Sequence, residues 1–368
     1  MNNANRRSSK VYKERDLQFL LIEMTTDQAA SKALEWIFSE IEKAPFHLGN
    51  VEFLRHLTLA LIDLDLSPDH PLLYRYLQTL SAIDETMNQH VAPQKCLVYS
   101  RLEREASCIS NVAKKVDFEH ETPDRLYISI VCTAISDFPE VFSKETISNA
   151  KNWLEKEIER NIREGNSDAL SYNLASYYKL IERRDEKIER WLKTLEGLRV
   201  EDHWPSISTA WGDDLSVTAS CIYNLVQMGV SPSSEVIRRA VAWHLRLAKL
   251  DGSWENNVRI TVKIFRALVA ASLDKDRTRE TLMEILREHE AKQIMQELLA
   301  VIRASTIETQ LKLQLVTEGQ LALLQKGSPF RESVNGLASK IVGNADIVRL
   351  APSIIDIATR VLSLLTGK

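Results

Sequence analysis

Aromatic residues recur along this chain in a repeated local pattern, with a small or apolar residue three positions before each one. The anchors of this pattern are Trp36, Tyr76, Trp153, Trp191 and Trp243. Successive anchors are 40, 77, 38 and 52 residues apart, and the widest gap leaves room for one degenerate copy. A period of about 40–50 residues is typical of arrays in which each repeat is a helical hairpin that buries the face of the next. The spacing therefore predicts a stacked helical array.

The composition also favours helices. The 368 residues include only 11 glycines and 10 prolines, although glycine alone averages about 7% of residues in globular proteins. Few helix breakers, with 44% hydrophobic and 27% charged residues, predict an all-α protein. The chain is longer than one hydrophobic core usually supports, roughly 250–300 residues. We therefore predict a polar N-terminal tail over residues 1–16, a helical repeat domain over 17–275 and a small C-terminal helical domain over 276–368.

The segment from Trp211 to Leu273 shows the repeat in its clearest form. Asp213 and Asp214 precede an apolar helix, an amphipathic helix carrying Trp243 follows, and the turn Asp251–Trp254 leads into a second apolar helix. This order resembles the α/α-toroid repeat of the terpenoid cyclase and protein prenyltransferase families, in which a Gly-x-Trp turn motif stands where residues 251–254 stand here. The resemblance implies an α/α toroid. An open array of the same helical hairpins is the alternative.

The helices between those that carry the aromatic anchors are richer in apolar and small residues. Less charge indicates more burial, so we predict that they form the inner layer of the array. They are Val51–Leu66, Arg125–Phe138, Ala169–Ile181, Leu215–Met228 and Val258–Leu273.

The catalytic motifs of the two families are incomplete in this chain. Class II terpenoid cyclases use an Asp-x-Asp-Asp run as their acid, and the nearest run here, Asp63–Leu66, ends in leucine. Class I enzymes hold magnesium with Asp-Asp-x-x-Asp, but Asp213 and Asp214 are followed by Val217 at the third position. Prenyltransferases bind zinc through an Asp-x-Cys pair, and no cysteine here has an acid two residues before it. We therefore expect a catalytically degenerate protein and no enzyme.

Acidic and aromatic residues nevertheless gather before the apolar helix that begins near residue 214. The group consists of Asp213, Asp214, Trp211, Trp204 and His203. One interpretation is a remnant pocket for a small or prenyl-like ligand. The other is an N-cap aspartate that satisfies free backbone amides, with aromatic rings filling the turn. The spacing around His203 gives no metal-ligand pattern, so neither a metal nor a cofactor is expected.

The last predicted helix, over residues 345–365, carries two parallel apolar rows. The clearer row consists of Ile347, Leu350, Ile354, Ile357, Val361 and Leu364. Pro352 either kinks this helix or begins its second half. Such a helix suits a bundle or an oligomer, a groove on a partner, or a membrane surface. Before it, residues 307–324 alternate in hydrophobicity, but Leu, Gln and Lys are good helix formers, so we predict a helix there too.

These observations favour a non-catalytic scaffold or adaptor that binds other proteins or further copies of itself. We expect it to act as a subunit of a multi-protein bacterial regulatory or defence system. One alternative is an isoprenoid-type ligand-binding protein or a terpenoid cyclase/prenyltransferase-like enzyme. A second alternative is a membrane-acting effector that works through residues 345–365.

Charge and cysteine usage limit the partners and the location. The net charge of −4 predicts no general attraction to nucleic acid or to anionic membranes. The four cysteines include no Cys-x-x-Cys pair and lie within helical patterns. Reduced, buried thiols are typical of a cytoplasmic protein, which is the location we expect.

Overall fold

The computed structural model describes residues 25–84, 91–102, 116, 118, 125–181, 184–207 and 213–366. These residues form sixteen α-helices and two short 3-10 helices. Within the same ranges, the one strand-type pairing is an isolated bridge between Val200 and His203. The predicted all-α class is therefore confirmed for the described part of the chain. The predicted tail over residues 1–16 lies outside it.

The chain divides into two compact units, residues 1–278 and 279–368. The division falls inside a long helix, Lys275–Ala304. The domain boundary predicted from the sequence lies between residues 275 and 276, at the beginning of this helix.

Among its described residues, the first unit contains eleven complete helices, several of which begin at a polar N-cap. The helices are α1 (Thr26–Lys43), α2 (Val51–Asp63), α3 (Pro71–Ala82), α4 (Val91–Arg101), α5 (Arg125–Asp137), α6 (Lys144–Glu164), α7 (Ser167–Ile181), α8 (Glu186–Gly197), α9 (Asp214–Gln227), α10 (Glu235–Leu247) and α11 (Val258–Ala270). Capping side chains accept hydrogen bonds from first-turn amides at Thr25, Asn50, Ser143, Asp185, Asp213 and Asn257. The 3-10 helices are Pro45–Gly49 and Pro139–Val141.

Six helices of the first unit contact one another in a cyclic order. Helix α2 contacts α4, α4 contacts α5, α5 contacts α7, α7 contacts α9, α9 contacts α11, and α11 contacts α2. Five of these six overlap the apolar helices that the sequence assigned to an inner layer, and the sixth, α4, lies in the widest gap between aromatic anchors. The remaining helices contact members of this set: α1 contacts α11, α3 contacts α2, α6 contacts α5 and α7, α8 contacts α7, and α10 contacts α9.

The aromatic anchors are buried to different degrees. Trp191 and Tyr76 are buried, whereas the other three anchors are partly exposed. Two other tryptophans, Trp204 and Trp254, are fully buried, and both lie in the turns that lead from one helix to the next. Each of these two turn tryptophans is therefore more completely buried than any of the three partly exposed anchors.

The second unit is a helical bundle with its own core. It contains most of α12 (Lys275–Ala304), then α13 (Thr309–Leu323), α14 (Gly327–Val342), α15 (Ala345–Leu350) and α16 (Pro352–Thr366). Helix α13 confirms the helix predicted over residues 307–324. Pro352 is the first residue of α16, where its missing N–H has no helical partner to lose. Helix α14 contacts α13, α15 and α16, and these helices cover buried residues of α12 such as Met295 and Leu298.

The turn before α11 depends on a glycine. Gly252 has φ of +90°, and a Cβ atom at this position would lie 2.4 Å from the backbone carbonyl carbon of Lys32 in α1. Gly229 has a similar φ of +78°, but the nearest atom to its Cβ position is Arg184 Nη2 at 3.7 Å. Comparing substitutions at Gly252 and Gly229 therefore separates the cost of backbone strain from the cost of collision with a neighbouring helix.

We expect Gly252→Ala to lower the free energy of unfolding by about 3 kcal/mol or more, because strain and collision add. Gly229→Ala, the matched control, should lower it by only about 1 kcal/mol through strain. Chemical denaturation followed by circular dichroism measures both changes. Equal losses in the two variants would show that the turn does not pack tightly against α1.

Candidate functional site

Trp204 is built into the turn between α8 and α9. Its side chain is fully buried, and its indole Nε1 donates a hydrogen bond at 2.7 Å to the carbonyl of Leu195 in α8. Its backbone N–H donates at 3.1 Å to the hydroxyl of Thr218 in α9. The ring and its backbone thus tie together the two helices that the turn connects.

Trp254 repeats this arrangement one hairpin later. Its indole Nε1 donates at 2.9 Å to the carbonyl of His244 in α10, and its backbone N–H donates at 3.1 Å to the hydroxyl of Thr261 in α11. The same pair of hydrogen bonds therefore occurs in two successive hairpins. Because the bonds repeat, they indicate a packing role for Trp204. The sequence had made this residue a member of a candidate ligand pocket.

The two aspartates of that candidate pocket accept bonds from the backbone. The Asp213 carboxylate caps α9 by accepting from the Ser216 N–H at 2.7 Å, and Asp214 accepts from the Ser206 N–H at 2.7 Å. His203 Nε2 lies 3.5 Å from Asp214 Oδ2. The fifth residue, Trp211, lies outside the described residues. The described members are thus brought together, in an arrangement that closes a turn and caps a helix.

A second and larger polar group lies among the six cyclic helices. Asp137, the last residue of α5, accepts a hydrogen bond at 2.6 Å from Arg101 of α4 and one at 2.5 Å from Lys179 of α7. Its side chain is 4% exposed, so solvent screens these ion pairs little. Burial lowers the pKa of Lys179 despite the charge of Asp137. For Arg101 burial also opposes the charge, but Asp137 outweighs it and the pKa lies above its ordinary value.

A matching group joins the other three cyclic helices. The guanidinium of Arg266 in α11 donates at 2.8 Å to Asp63, the last residue of α2. It also lies over the ring of Tyr223 in α9, 3.8 Å from the ring centre, and donates to the Tyr223 hydroxyl. Burial acts to lower the pKa of Arg266, but the charge of Asp63, its hydrogen bond and Tyr223 together outweigh burial, and the pKa is raised. Burial raises the pKa of Tyr223 as well, so its hydroxyl stays protonated.

The groups around Asp137 and Asp63 show in which direction the six helices run and where a cavity lies between them. Because residues near the C-terminal ends of α2, α4, α5 and α7 meet those of α9 and α11, the six helices run in the same direction. A cavity of about 40 Å³ lies between them, and all six contribute to its lining. We call it the central cavity. Its charged lining residues are Arg55, Arg101, Lys179 and Arg266, and its neutral polar ones include His56, Tyr172 and Tyr223.

Arg55 differs from the other three cations of the central cavity. It is only 9% exposed, its Nη2 donates to His56 Nε2 at 2.8 Å, and its Nε–H has no hydrogen-bond partner. Burial, with the charge of Arg55, holds the pKa of His56 well below its ordinary value, so the ring is neutral. Since Nε2 accepts from Arg55, the proton of the ring is on Nδ1, and this atom also lacks a partner.

Two carboxylates influence Arg55 through space but do not pair with it. Glu52 instead receives an ion pair at 2.8 Å from Lys263, and Asp168 receives a hydrogen bond from Ser220. Burial acts to raise the pKa of Glu52, but Lys263 outweighs it and lowers the pKa. Burial raises the pKa of Asp168, and the opposing charges of Lys263 and Arg55 do not cancel the effect.

The central cavity is not among the sites predicted from the sequence, although the sequence contains a signal for it. Arg55 and Arg266 interrupt helices that are otherwise apolar enough to be predicted as buried. A charged side chain on a buried helix requires a compensating group, and this requirement indicates a polar site. What the sequence could not show is which helices face each other, and therefore that these cations converge.

The apolar row predicted for interaction lies largely in the core of the second unit. Ile347, Ile354, Ile357 and Val361 are buried there, and Leu364 packs against the core from α16. Nothing is described for the side chain of the sixth member, Leu350. Among the packing arrangements left open by the sequence, the row thus packs within its own bundle.

A different helix of the second unit exposes leucines. On α13 and the residue that follows it, Leu313, Leu321 and Leu324 are 68%, 58% and 82% exposed. The opposite side of α13 places Leu315 and Ala322 in the core. The helix is therefore apolar on two sides, and the described residues leave one of these sides exposed.

No protein-family model, curated protein or solved structure matches this chain. Among the described residues, no helix is both long and apolar enough to cross a membrane. The same residues contain no group of three or more His, Cys, Asp or Glu side chains placed to hold a metal ion.

His244 is a buried histidine without a side-chain hydrogen bond, next to the Trp254 turn. Both ring nitrogens lack partners, and burial, with a smaller contribution from His203, lowers the pKa of His244 to about 3 from 6.5. Because the folded state disfavours the protonated ring, stability should fall as the pH drops below about 6.5. From about pH 7 to about pH 5 the expected loss is about 2 kcal/mol.

We expect His244→Leu, which has a similar volume, to remove this part of the pH dependence. Chemical denaturation at several pH values would compare the variant with the wild type, and their difference isolates His244 from the carboxylates. Parallel stability curves for the two proteins would show that the ring titrates normally in the fold.

Proposed function

We propose that the first unit is an α/α toroid built from terpenoid-cyclase-type repeats, and that the protein is a non-catalytic scaffold that binds other proteins through its second unit. The cyclic contact order of α2, α4, α5, α7, α9 and α11 supports a closed array over an open one. The equivalent bonds of Trp204 and Trp254 in successive hairpins support the repeat.

The single observation that carries the binding function is the exposed row on α13. Leu313, Leu321 and Leu324 follow one another at intervals of eight and three residues, so they lie along one side of the helix over about 16 Å. Burying a leucine side chain contributes roughly 1.5–3 kcal/mol. Three of them in a row provide the apolar centre that a protein interface needs.

Two alternatives receive less support from the same structure. An isoprenoid ligand needs a long apolar cavity, whereas the central cavity holds about 40 Å³ and is lined by four cations. A membrane-acting helix needs an exposed apolar face, whereas Ile347, Ile354 and Val361 are buried in the bundle. The exposed row on α13 is three residues long and is flanked by polar side chains, which suits a protein groove better than a bilayer.

We expect the double variant Leu313→Ser and Leu321→Ser to lose binding to the protein's partner while keeping its fold. Removing two interface leucines should reduce the recovered partner at least about tenfold. The measurement is affinity purification of the tagged full-length chain from its native host with quantified partners. Light scattering of the purified chain tests a second copy as the partner.

The matched control changes two equally exposed leucines of the first unit. Leu250 and Leu273 are 83% and 73% exposed, and their replacement by serine should leave partner recovery unchanged. Both double variants should melt like the wild type, because none of the four side chains is buried. If the α13 variant recovers the same partners in the same amounts, the row is not the docking surface.

A further inference from the structure

The charges around the central cavity do not balance. Arg101 and Lys179 share the single carboxylate of Asp137, and Arg266 pairs with Asp63. Arg55 forms no ion pair among the described residues. The four cations that line the cavity are thus matched by ion pairs with only two carboxylates, while Glu52 and Asp168 act on Arg55 through space and are bonded elsewhere. The lining of the cavity therefore carries more positive than negative charge.

The unpartnered polar atoms at the central cavity are all hydrogen-bond donors. They are the Nε–H of Arg55, the Nδ1–H of His56 and the hydroxyl of Tyr172, which lies near Thr133 without a well-formed bond to it. All three side chains line the same cavity. Buried donors without acceptors are unfavourable, and a buried unpaired cation is more so. A site with unpartnered donors and an excess of positive charge is complementary to an anion.

The size of the cavity limits the anion to a compact one. A volume of about 40 Å³ is roughly three times what one water molecule needs. The Arg101 and Lys179 side chains are each 20% exposed, so solvent reaches the cavity at the C-terminal ends of the helices. A guanidinium presents parallel N–H donors that match two oxygens of a phosphate, and the ammonium of Lys179 adds a point charge at the entrance.

We propose that the central cavity binds a phosphate-type oxyanion through Arg55, His56, Tyr172 and Lys179, either as inorganic phosphate or as the terminal phosphate of a larger molecule. The negative charge of phosphate complements the excess of positive charge in the lining of the cavity. A larger ligand would extend from the cavity past Lys179 and Arg101. This site is independent of the α13 row, and neither needs the other.

The test is thermal melting of the full-length chain with inorganic phosphate as the probe. Saturating phosphate should raise the melting temperature by about 5 °C over sodium chloride of the same ionic strength. Glycerol phosphate in a parallel titration distinguishes inorganic phosphate from the phosphate group of a larger molecule. If it binds at least tenfold more tightly than inorganic phosphate, a phosphomonoester is the ligand; the reverse order indicates free phosphate. If neither raises the melting temperature above the chloride control, the proposal is wrong.

Variants separate anion binding from a structural role of the cations. Arg55→Met should abolish the response to phosphate and leave the melting temperature without phosphate unchanged or higher, because an uncompensated buried charge is removed. Lys179→Gln leaves Arg101 on Asp137 and should weaken phosphate binding at least tenfold, which tests the site even if Arg55→Met does not fold. Arg259→Met, a change of a half-exposed cation on the same helix as Arg266, should respond to phosphate like the wild type. Undiminished binding of phosphate by Lys179→Gln would overturn the assignment of this cavity.

Discussion

Two carboxylates, the buried one of Asp137 and the partly buried one of Asp63, hold the first unit together at one end. Asp137 joins α4, α5 and α7 by accepting from Arg101 and Lys179, and Asp63 joins α2, α9 and α11 through Arg266. Every one of the six cyclic helices therefore enters one of two charge groups. A buried ion pair adds little net stability, but removing one partner leaves an uncompensated charge and costs about 3–5 kcal/mol. The pairs thus select which helix ends can meet.

Hydrophobic packing supplies the stability that these ion pairs do not. Between successive hairpins the buried tryptophans of the turns, Trp204 and Trp254, fix each connection through one side-chain and one backbone hydrogen bond. Gly252 lets the second of these turns lie against the backbone of Lys32 in α1. The turn that leads into α11 therefore contacts α1, the first of the described helices, and links the two ends of the described part of this unit.

Much of this architecture could be predicted from the sequence, because helix identity depends on local periodicity. The apolar helices around residues 51–66 and 258–273 and the helical state of residues 307–324 follow from apolar spacing and propensity. The central cavity could not be predicted, since it depends on which helices are neighbours in space. The apolar row from Ile347 to Leu364 was recognised as a row, but its burial depends on α14, whose facing side the sequence does not identify. The exposed leucines of α13 lie in a segment whose hydrophobicity alternates along the sequence. This alternation does not show that the helix is apolar on two sides.

The position of Arg55 explains why this cation differs from the other three. Six helices that run in the same direction place their C-terminal carbonyl groups on one side, and the partial negative charge there favours cations within the last turns. Arg101 and Lys179 lie in those turns and gain from it, in addition to pairing with Asp137. Arg55 lies in the second turn of α2, where the helix dipole offers no such compensation. Among the described residues, its hydrogen-bond contact is with the neutral ring of His56. Neither the helix ends nor an ion pair with a described carboxylate neutralises this guanidinium, and Glu52 and Asp168 act on it only through space. The proposed anion would supply the direct partner that Arg55 lacks.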